Sequence, residues 1–534
     1  MTARPDGHGP TLSSRGSSAD AKARRGLRVG SSAGAKLRRP EIALAECHPF
    51  EAAGRQFLYL VPSAAVFALD ETSAAVVETL RGGQLAAPEL YSRLAPRFDP
   101  RTVEASLSEL AGARVIQPVD PAPLAVPPPE PAPNIIPLKP IPLSTLVVNV
   151  TNRCNLSCAY CYEYGEDRIA EPAAGGMPKL MSEETARTSV DFMIERSGGS
   201  PVVRLTFFGG ETLLNFGVLE KTIPYARRRA AEAGKRVEFS LTTNGTLLRP
   251  EVIEFLADND VGVTISIDGP KEMQDKFRVF HDGRGSYDVV APKVRELLKR
   301  HRSRPIGARV TLTSDVLDIT RIYRHLREEV GFWEVGFAPV TTSPGRAHAI
   351  GETGFDSMLA QFRELAHEFL DAALAGRHHG FSNVRDTIEE LHKGASKALP
   401  CGAGLGLMGV ATNGDVALCH RFAGSDAHKL GTVRDGVDDT AQEAFLDAHH
   451  IDRKTDCRTC WARPLCAGGC YHEAYTRYGT TEAPNLHYCD WIRGWTETCL
   501  EIYGEIAERN PAFLRRFENG GPAEEVNDDA SQAH

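Results

Sequence analysis

Hydrophobic and polar positions alternate differently along this 534-residue chain, and the changes divide it into blocks. Between residues 144 and 375, short apolar runs recur with amphipathic stretches between them. The candidate strands are Thr145–Val150, Val202–Phe208, Val237–Leu241, Gly262–Ile267, Ile306–Leu312 and Trp333–Ala338, each followed by a helical segment. Ser182 reads as an N-cap, with Glu183 and Glu184 in the first turn behind it. Six βα units in succession predict an α/β fold whose parallel sheet curves into a partial (β/α)6 barrel. In such a fold the chemistry sits at the C-terminal ends of the strands.

The flanking blocks read differently. Residues 41–117 suggest a small module. Phe57–Val61 and Ala65–Leu69 have strand character around Pro62-Ser63. Helical stretches follow at Glu71–Leu80, Pro88–Leu94 and Arg101–Ala111, with a last strand at Val115-Ile116. This is a winged-helix-like pattern. The module carries six Arg against ten Asp/Glu, a balance that disfavours DNA and favours an edge strand that pairs with a peptide. Eleven prolines between residues 118 and 142 predict a semi-rigid linker, spanning 118–143, between two independent units. Residues 1–40 carry nine Lys/Arg and few large apolar side chains, as a disordered basic tail or an arm for an acidic partner would. Residues 376–510 form a cysteine-rich domain with little regular periodicity, where cluster ligation is expected to replace a hydrophobic core. An apparent helix covers Trp491–Ile506. Residues 511–534 read as a frayed acidic tail.

Charge and cysteine usage narrow the chemistry. A net charge of -9 argues against nucleic acid as the partner. No run of ~18 apolar residues is present, so no membrane span is expected. No signal peptide is visible, which predicts a cytoplasmic protein with reduced thiols. Eleven of the 12 cysteines lie after residue 150, a distribution that favours metal or cluster ligation over disulfides.

Just after the first barrel strand comes Cys154-Asn155-Leu156-Ser157-Cys158-Ala159-Tyr160-Cys161. Three closely spaced thiolates suit an iron–sulfur cluster; a zinc site or buried thiols are the plainer alternatives. On this C-x3-C-x2-C motif, following a strand that opens six βα units, the chain resembles the radical S-adenosylmethionine enzymes over residues 145–500. The resemblance implies a 4Fe-4S cluster on Cys154, Cys158 and Cys161, with S-adenosylmethionine on the open iron and a 5′-deoxyadenosyl radical as the reactive species. It places Tyr160 beside the adenine. It makes Gly209, Gly210, Glu211, Asn244 and Ser266 cofactor contacts at three strand ends, with Asp268 and Arg278 as further candidates. The two glycines would let the backbone approach the ligand, Glu211 would accept from its ammonium group, and Arg278 would meet the methionyl carboxylate.

A second cysteine set runs Cys401, Cys419, Cys457, Cys460, Cys466, Cys470 and Cys489. Taken alone, Cys457 to Cys470 is open to a zinc-knot reading. The whole set resembles the seven-cysteine SPASM extension of peptide-modifying radical enzymes. That resemblance implies two auxiliary clusters: one on Cys401, Cys419 and Cys470, the other on Cys457, Cys460, Cys466 and Cys489. The first lacks an obvious fourth cysteine. Cys499 is a candidate for that place or a core thiol. Cys47, alone beside His48, reads as an incidental thiol.

The leading module resembles the PqqD-like peptide-recognition domains. The runs Asn149–Arg153, Cys161–Asp167, Phe207–Glu211, Gly336–Thr342 and Cys466–Glu473 resemble the maturation proteins of quinohemoprotein amine dehydrogenase. That family implies a polypeptide substrate, the small subunit of the dehydrogenase. The product is an intrapeptide thioether joining a cysteine sulfur to the methylene of an Asp or Glu. It also implies an electron donor such as flavodoxin or ferredoxin, and a base, for which His420 beside Cys419 is the candidate. His420 also fits a structural role. Two other functions stay open: another SPASM maturase, such as a sulfatase maturase oxidising a Cys or Ser, and a non-catalytic metal-binding regulatory protein.

Overall fold

The computed structural model describes residues 41–119, 138–169 and 177–518. The basic tail, most of the proline-rich segment and the end of the acidic tail lie outside the described residues. The leading module contains β1 (Glu41–Leu44), β2 (Cys47–Ala52), β3 (Arg55–Leu60), β4 (Ala65–Ala68), β5 (Leu85–Ala86) and β6 (Ile116–Val119). They form two antiparallel sheets, ordered β5-β1-β6 and β2-β3-β4. The helices Glu71–Leu80, Ala87–Leu94 and Pro100–Gly112 match the three expected helical stretches. The first starts where the Asp70 side chain accepts from the Ser73 amide at 2.7 Å.

The expected independence of this module is overturned. On β3, Leu58 and Leu60 point into the module's own core, together with Val76, Leu90 and Leu107. The alternate residues, Phe57 and Tyr59, join the main core of the protein. The apolar run at Phe57–Val61 is therefore a strand buried on both faces. The second face packs on the helix Cys489–Arg509. A Cβ at Gly504 of that helix would lie 2.6 Å from Ala52 Cβ and 3.3–3.4 Å from the rings of Phe50 and Phe57, so only glycine permits this approach. Burying the two phenylalanines contributes about 2 kcal/mol each. The rim adds His48 stacked on Trp461 at 3.7 Å, the Ala53 amide donating to Glu505 at 2.7 Å, and an Arg55–Glu508 ion pair at 2.8 Å. Exposed pairs of that kind contribute little, so the apolar contact dominates.

The body is a ten-stranded sheet among the described residues. Its parallel part is β7 (Thr145–Thr151), β8 (Val202–Gly209), β9 (Arg236–Thr243), β10 (Val261–Ser266), β11 (Gly307–Leu312) and β12 (Glu334–Pro339), hydrogen-bonded in chain order. These are the six strands expected from the pattern. Residues on the outer face, such as Val203, Leu205, Val263, Ile265 and Val310, are fully or nearly fully buried under the helices. The inner face carries polar side chains, which leaves a cavity at the strand ends rather than a filled barrel. Ser182 caps the helix Glu183–Arg196 by accepting from the Thr185 amide.

Residues 400–437 are more regular than expected. β13 (Leu407–Val410) adds to β7 in parallel, and β14 (Asp415–Ala417), β15 (Lys429–Thr432) and β16 (Gly436–Val437) continue the same sheet antiparallel. These strands are too short for their period to show in sequence. The cysteine-rich region also has a small core of its own around Leu418, Phe422 and Tyr471. Residues 511–518 are not frayed. Phe513, Leu514 and Phe517 are buried, with Phe513 edge-on to Phe369 at 5.8 Å.

Candidate functional site

The three-cysteine loop begins where β7 ends and is tied to two neighbours. Ser157 N donates to Val279 O at 2.7 Å, and His281 Nε2 lies 3.0 Å from Cys154 O. Asn155 donates to Thr246 Oγ1 at 2.8 Å and accepts from Asn244 Nδ2 at 3.0 Å. The Cys154 sulfur accepts from the Leu156 amide at 3.4 Å. Cys154, Cys158 and Cys161 all line a cavity of about 700 Å³ at the strand ends, together with Tyr160, Gly209, Gly210, Asn244, Ser266 and Arg278.

Glu211 and Asp268 differ from expectation, for the same physical reason. Neither lines the cavity. Glu211 is fully buried. One carboxylate oxygen accepts from Thr243 Oγ1 and the Leu213 amide at 2.7 and 3.0 Å, the other from the Asn244 amide at 2.7 Å. With those bonds made, it braces β8 to β9 rather than facing a ligand. Asp268 accepts from Arg278 Nε at 2.9 Å, from the Thr311 amide at 3.0 Å and from the Tyr160 hydroxyl. It therefore positions Arg278 and Tyr160, and the guanidinium lies 5.5 Å from the Tyr160 ring centre.

The paired glycines serve the backbone first. A Cβ at Gly209, where φ is +128°, would sit 2.2 Å from Thr151 O. One at Gly210 would sit 2.3 Å from Arg153 O. Their absent side chains let β8 close against the start of the cysteine loop.

The cavity also carries residues that the strand-end motifs did not single out. Arg309 lies on the inner face of β11, between the buried Ala308 and Val310. Arg421 donates from Nη1 to Thr341 Oγ1 at 3.0 Å and covers the Tyr162 ring at 4.6 Å. Both line the cavity with His420 and Glu163. The inward period of β11 was the signal for Arg309. For Arg421 it was proximity to Cys419.

His420 is in the cavity wall, but burial, and next the neighbouring Arg421 charge, lower its pKa to about 3. It stays neutral and accepts a proton poorly, which disfavours it as the base. Burial raises the Glu163 carboxyl to about 7, a better match to proton transfer near neutral pH.

The remaining thiols fall into two electrostatic groups. Burial raises Cys401 and Cys419, and Cys470 raises both further. Burial likewise raises Cys457 and Cys466. Cys460 and Cys489 add to Cys457, while Cys457, Cys489 and Cys460 add to Cys466. Close approach is needed here too: a Cβ at Gly409 of β13 would meet Cys419 C at 2.3 Å. Cys499 is fully buried in the main core, its thiol raised by burial and bonded to Thr387. Packed among the apolar side chains of the main core, it sits as a core thiol rather than a closing ligand. Cys47 sits in β2 against the module core.

Residues 148–318, which span β7 to β11, match the model of the Radical SAM superfamily. The chain carries a radical SAM domain. A serine-type anaerobic sulfatase-maturating enzyme of Bacteroides thetaiotaomicron is 28% identical over 65% of this chain and 86% of its own length. A cysteine-type anaerobic sulfatase-maturating enzyme of Clostridium novyi is 24% identical over 68% of this chain and 97% of its own. An uncharacterized protein of Methanocaldococcus jannaschii is 32% identical, but the chain spans only 44% of it. The solved structure of native anSMEcpe with bound AdoMet shares the fold, with a TM-score of 0.56 at 21% identity over 71% of this chain and 100% of that one. The radical SAM domain implies S-adenosylmethionine and a 4Fe-4S cluster. No helix among the described residues is long and apolar enough to cross a membrane.

The residues fit these groups. A zinc ion needs all its ligands about 2.0–2.3 Å from one centre, whereas a cluster offers each thiolate a separate iron. Buried donors without hydrogen-bond partners stand beside the thiols: Lys454 Nζ near Cys457 and Cys466, and the Tyr471 hydroxyl near Cys401 and Cys470. A buried ammonium without a partner is costly, and an anionic cluster with acceptor sulfurs would satisfy it.

Proposed function

We propose that this protein is a polypeptide-modifying radical enzyme that forms thioether cross-links between a cysteine and the methylene of an Asp or Glu, with the small subunit of quinohemoprotein amine dehydrogenase as substrate. The observation that carries it is a single cavity lined by Cys154, Cys158 and Cys161 together with the arginines Arg309 and Arg421, the latter two residues from Cys419. When bound, the 4Fe-4S cluster and S-adenosylmethionine would supply a carbon-centred radical able to take hydrogen from a methylene. Cys154, Cys158 and Cys161 are the residues that would hold that cluster. On this reading Arg278, held by Asp268, meets the methionyl carboxylate. Ser266 and Asn244 also line the cavity, and Tyr160, within the cysteine loop, donates to Asp268 with Arg278 over its ring. Glu163 is available to hold the proton released by the substrate thiol.

On this reading Cys401, Cys419 and Cys470, and Cys457, Cys460, Cys466 and Cys489, hold two auxiliary clusters. An electron donor such as flavodoxin or ferredoxin is the expected reductant, and the cytoplasm is the expected compartment. The outer edge of β4 pairs with no strand among the described residues, so a substrate segment can add to it.

A second reading, a sulfatase-type maturase, is supported by two relatives that the chain covers over 86% and 97% of their length. The deciding experiment gives the anaerobic cluster-loaded enzyme S-adenosylmethionine, reductant and either the dehydrogenase small subunit or a sulfatase-derived peptide. Thioether formation predicts loss of two hydrogens per link and alkylation-resistant cysteines in the subunit. Modification of the sulfatase peptide alone would replace the first reading with the second.

A further inference from the structure

We propose that Arg309, with Arg421 beside it, forms a carboxylate-recognition site for an Asp or Glu side chain of the polypeptide substrate. The assignment deepens the proposed function and rests on it for the identity of the substrate. The placement follows from β11. Its sequence, Gly307 to Leu312, alternates so that Ala308, Val310 and Leu312 are buried under the helices while Arg309 and Thr311 face the cavity. Arg309 pairs in register with Gly336 on β12, and a Cβ there would lie 3.4 Å from Arg309 Nη1. That spacing is ordinary van der Waals contact, and it places the guanidinium beside the neighbouring strand at Gly336.

The Arg309 side chain is accessible because it borders the cavity, yet it lies deep in the protein, and that depth disfavours its charge. Arg421 disfavours it further, so the two cations repel each other across the wall. Arg309 makes no ion pair with a carboxylate among the described residues. Asp386 is the acidic residue that acts on it, and Asp386 is itself bonded by Arg385 at 2.6 and 3.0 Å. Two other arginines lining the cavity are engaged differently: Arg278 is held by Asp268, and Arg421 donates to Thr341 Oγ1, covers the Tyr162 ring and lies beside Cys419 and Cys470. An open, accessible guanidinium facing a second cation calls for an anion, and a planar carboxylate suits its paired donors. A neutral Ser or Cys side chain would not satisfy it.

The test uses glutarate, a probe that does not depend on turnover. Calorimetric titration of the cluster-loaded enzyme, saturated with S-adenosylmethionine, should detect glutarate binding. R309Q and R421Q should weaken it about 10- to 100-fold, the range for a lost charged hydrogen bond, and R309K should recover part of the loss. Iron and sulfide content and circular dichroism check that each variant is folded and loaded. Equal affinity in wild type and R309Q, no binding in wild type, or competition between glutarate and S-adenosylmethionine would each overturn the assignment. In the turnover arm, a subunit with Gln in place of the linked Glu should lose kcat/KM against wild type, and R309Q should erase that discrimination. If glutarate binding depends on Arg309 but the subunit is not modified, the anion site stands and the substrate identity fails.

Discussion

Asp268 offers a quantitative test of how the cavity is built. Its side chain is 1% exposed and its partner Arg278 is 9% exposed, with 2.9 Å between Oδ2 and Nε. Replacing Asp268 by Asn leaves a buried guanidinium without its counter-charge and turns an amide donor toward the Tyr160 hydroxyl. Breaking a buried pair from one side costs about 3–5 kcal/mol. R278Q removes the charge from the other side and leaves Asp268 with the Thr311 amide and the Tyr160 hydroxyl. The D268N/R278Q double variant has no unpaired charge, so it should lose less than the sum of the single losses, with a coupling of at least about 1.5 kcal/mol. Anaerobic urea unfolding of the cluster-loaded protein without S-adenosylmethionine measures all three. Equilibrium binding should show weaker S-adenosylmethionine affinity in D268N, because the guanidinium is no longer aimed. Additivity within about 0.5 kcal/mol would refute the claim that Asp268 acts through Arg278.

Three further outcomes follow from the same structure. C499A should keep the wild-type iron content and lose only about 1 kcal/mol of stability, whereas C470A should lose iron; equal iron loss in both would make Cys499 a ligand. G504L should overpack the contact with Ala52, Phe50 and Phe57, so limited proteolysis should cut the leading module away faster than in wild type, and an unchanged digestion rate would argue against the docking. H420N should lower kcat less than about tenfold, because an imidazole of such low pKa contributes little as a base; a fall of ~100-fold or more would restore it to that role.

The alternation of apolar and polar residues along the chain determined the six barrel strands, the three helices of the leading module and the Ser182 cap. Each is a local preference read off a period of two or 3.6 residues. The spacing of the cysteines marked the thiol-bearing loops, because ligands to one group must be near in sequence or carried by facing elements. Tertiary structure decided the rest. Glu211 and Asp268 stand where a cofactor contact is expected, but the amides and hydroxyls that surround them come from neighbouring strands, and no local pattern reveals that those oxygens are taken. The leading module reads as separate because a proline-rich segment follows it. Whether it packs on the body depended on a glycine more than 440 residues away, at Gly504. The Cys499 thiol resembles any other in sequence; only its burial among the helices sets it apart. Arg309 was an unremarked residue in a strand until the curve of the sheet turned it toward the cavity that the cysteines also line. Charge, burial and partner are properties of the assembled surroundings, so they were settled only when distant segments met.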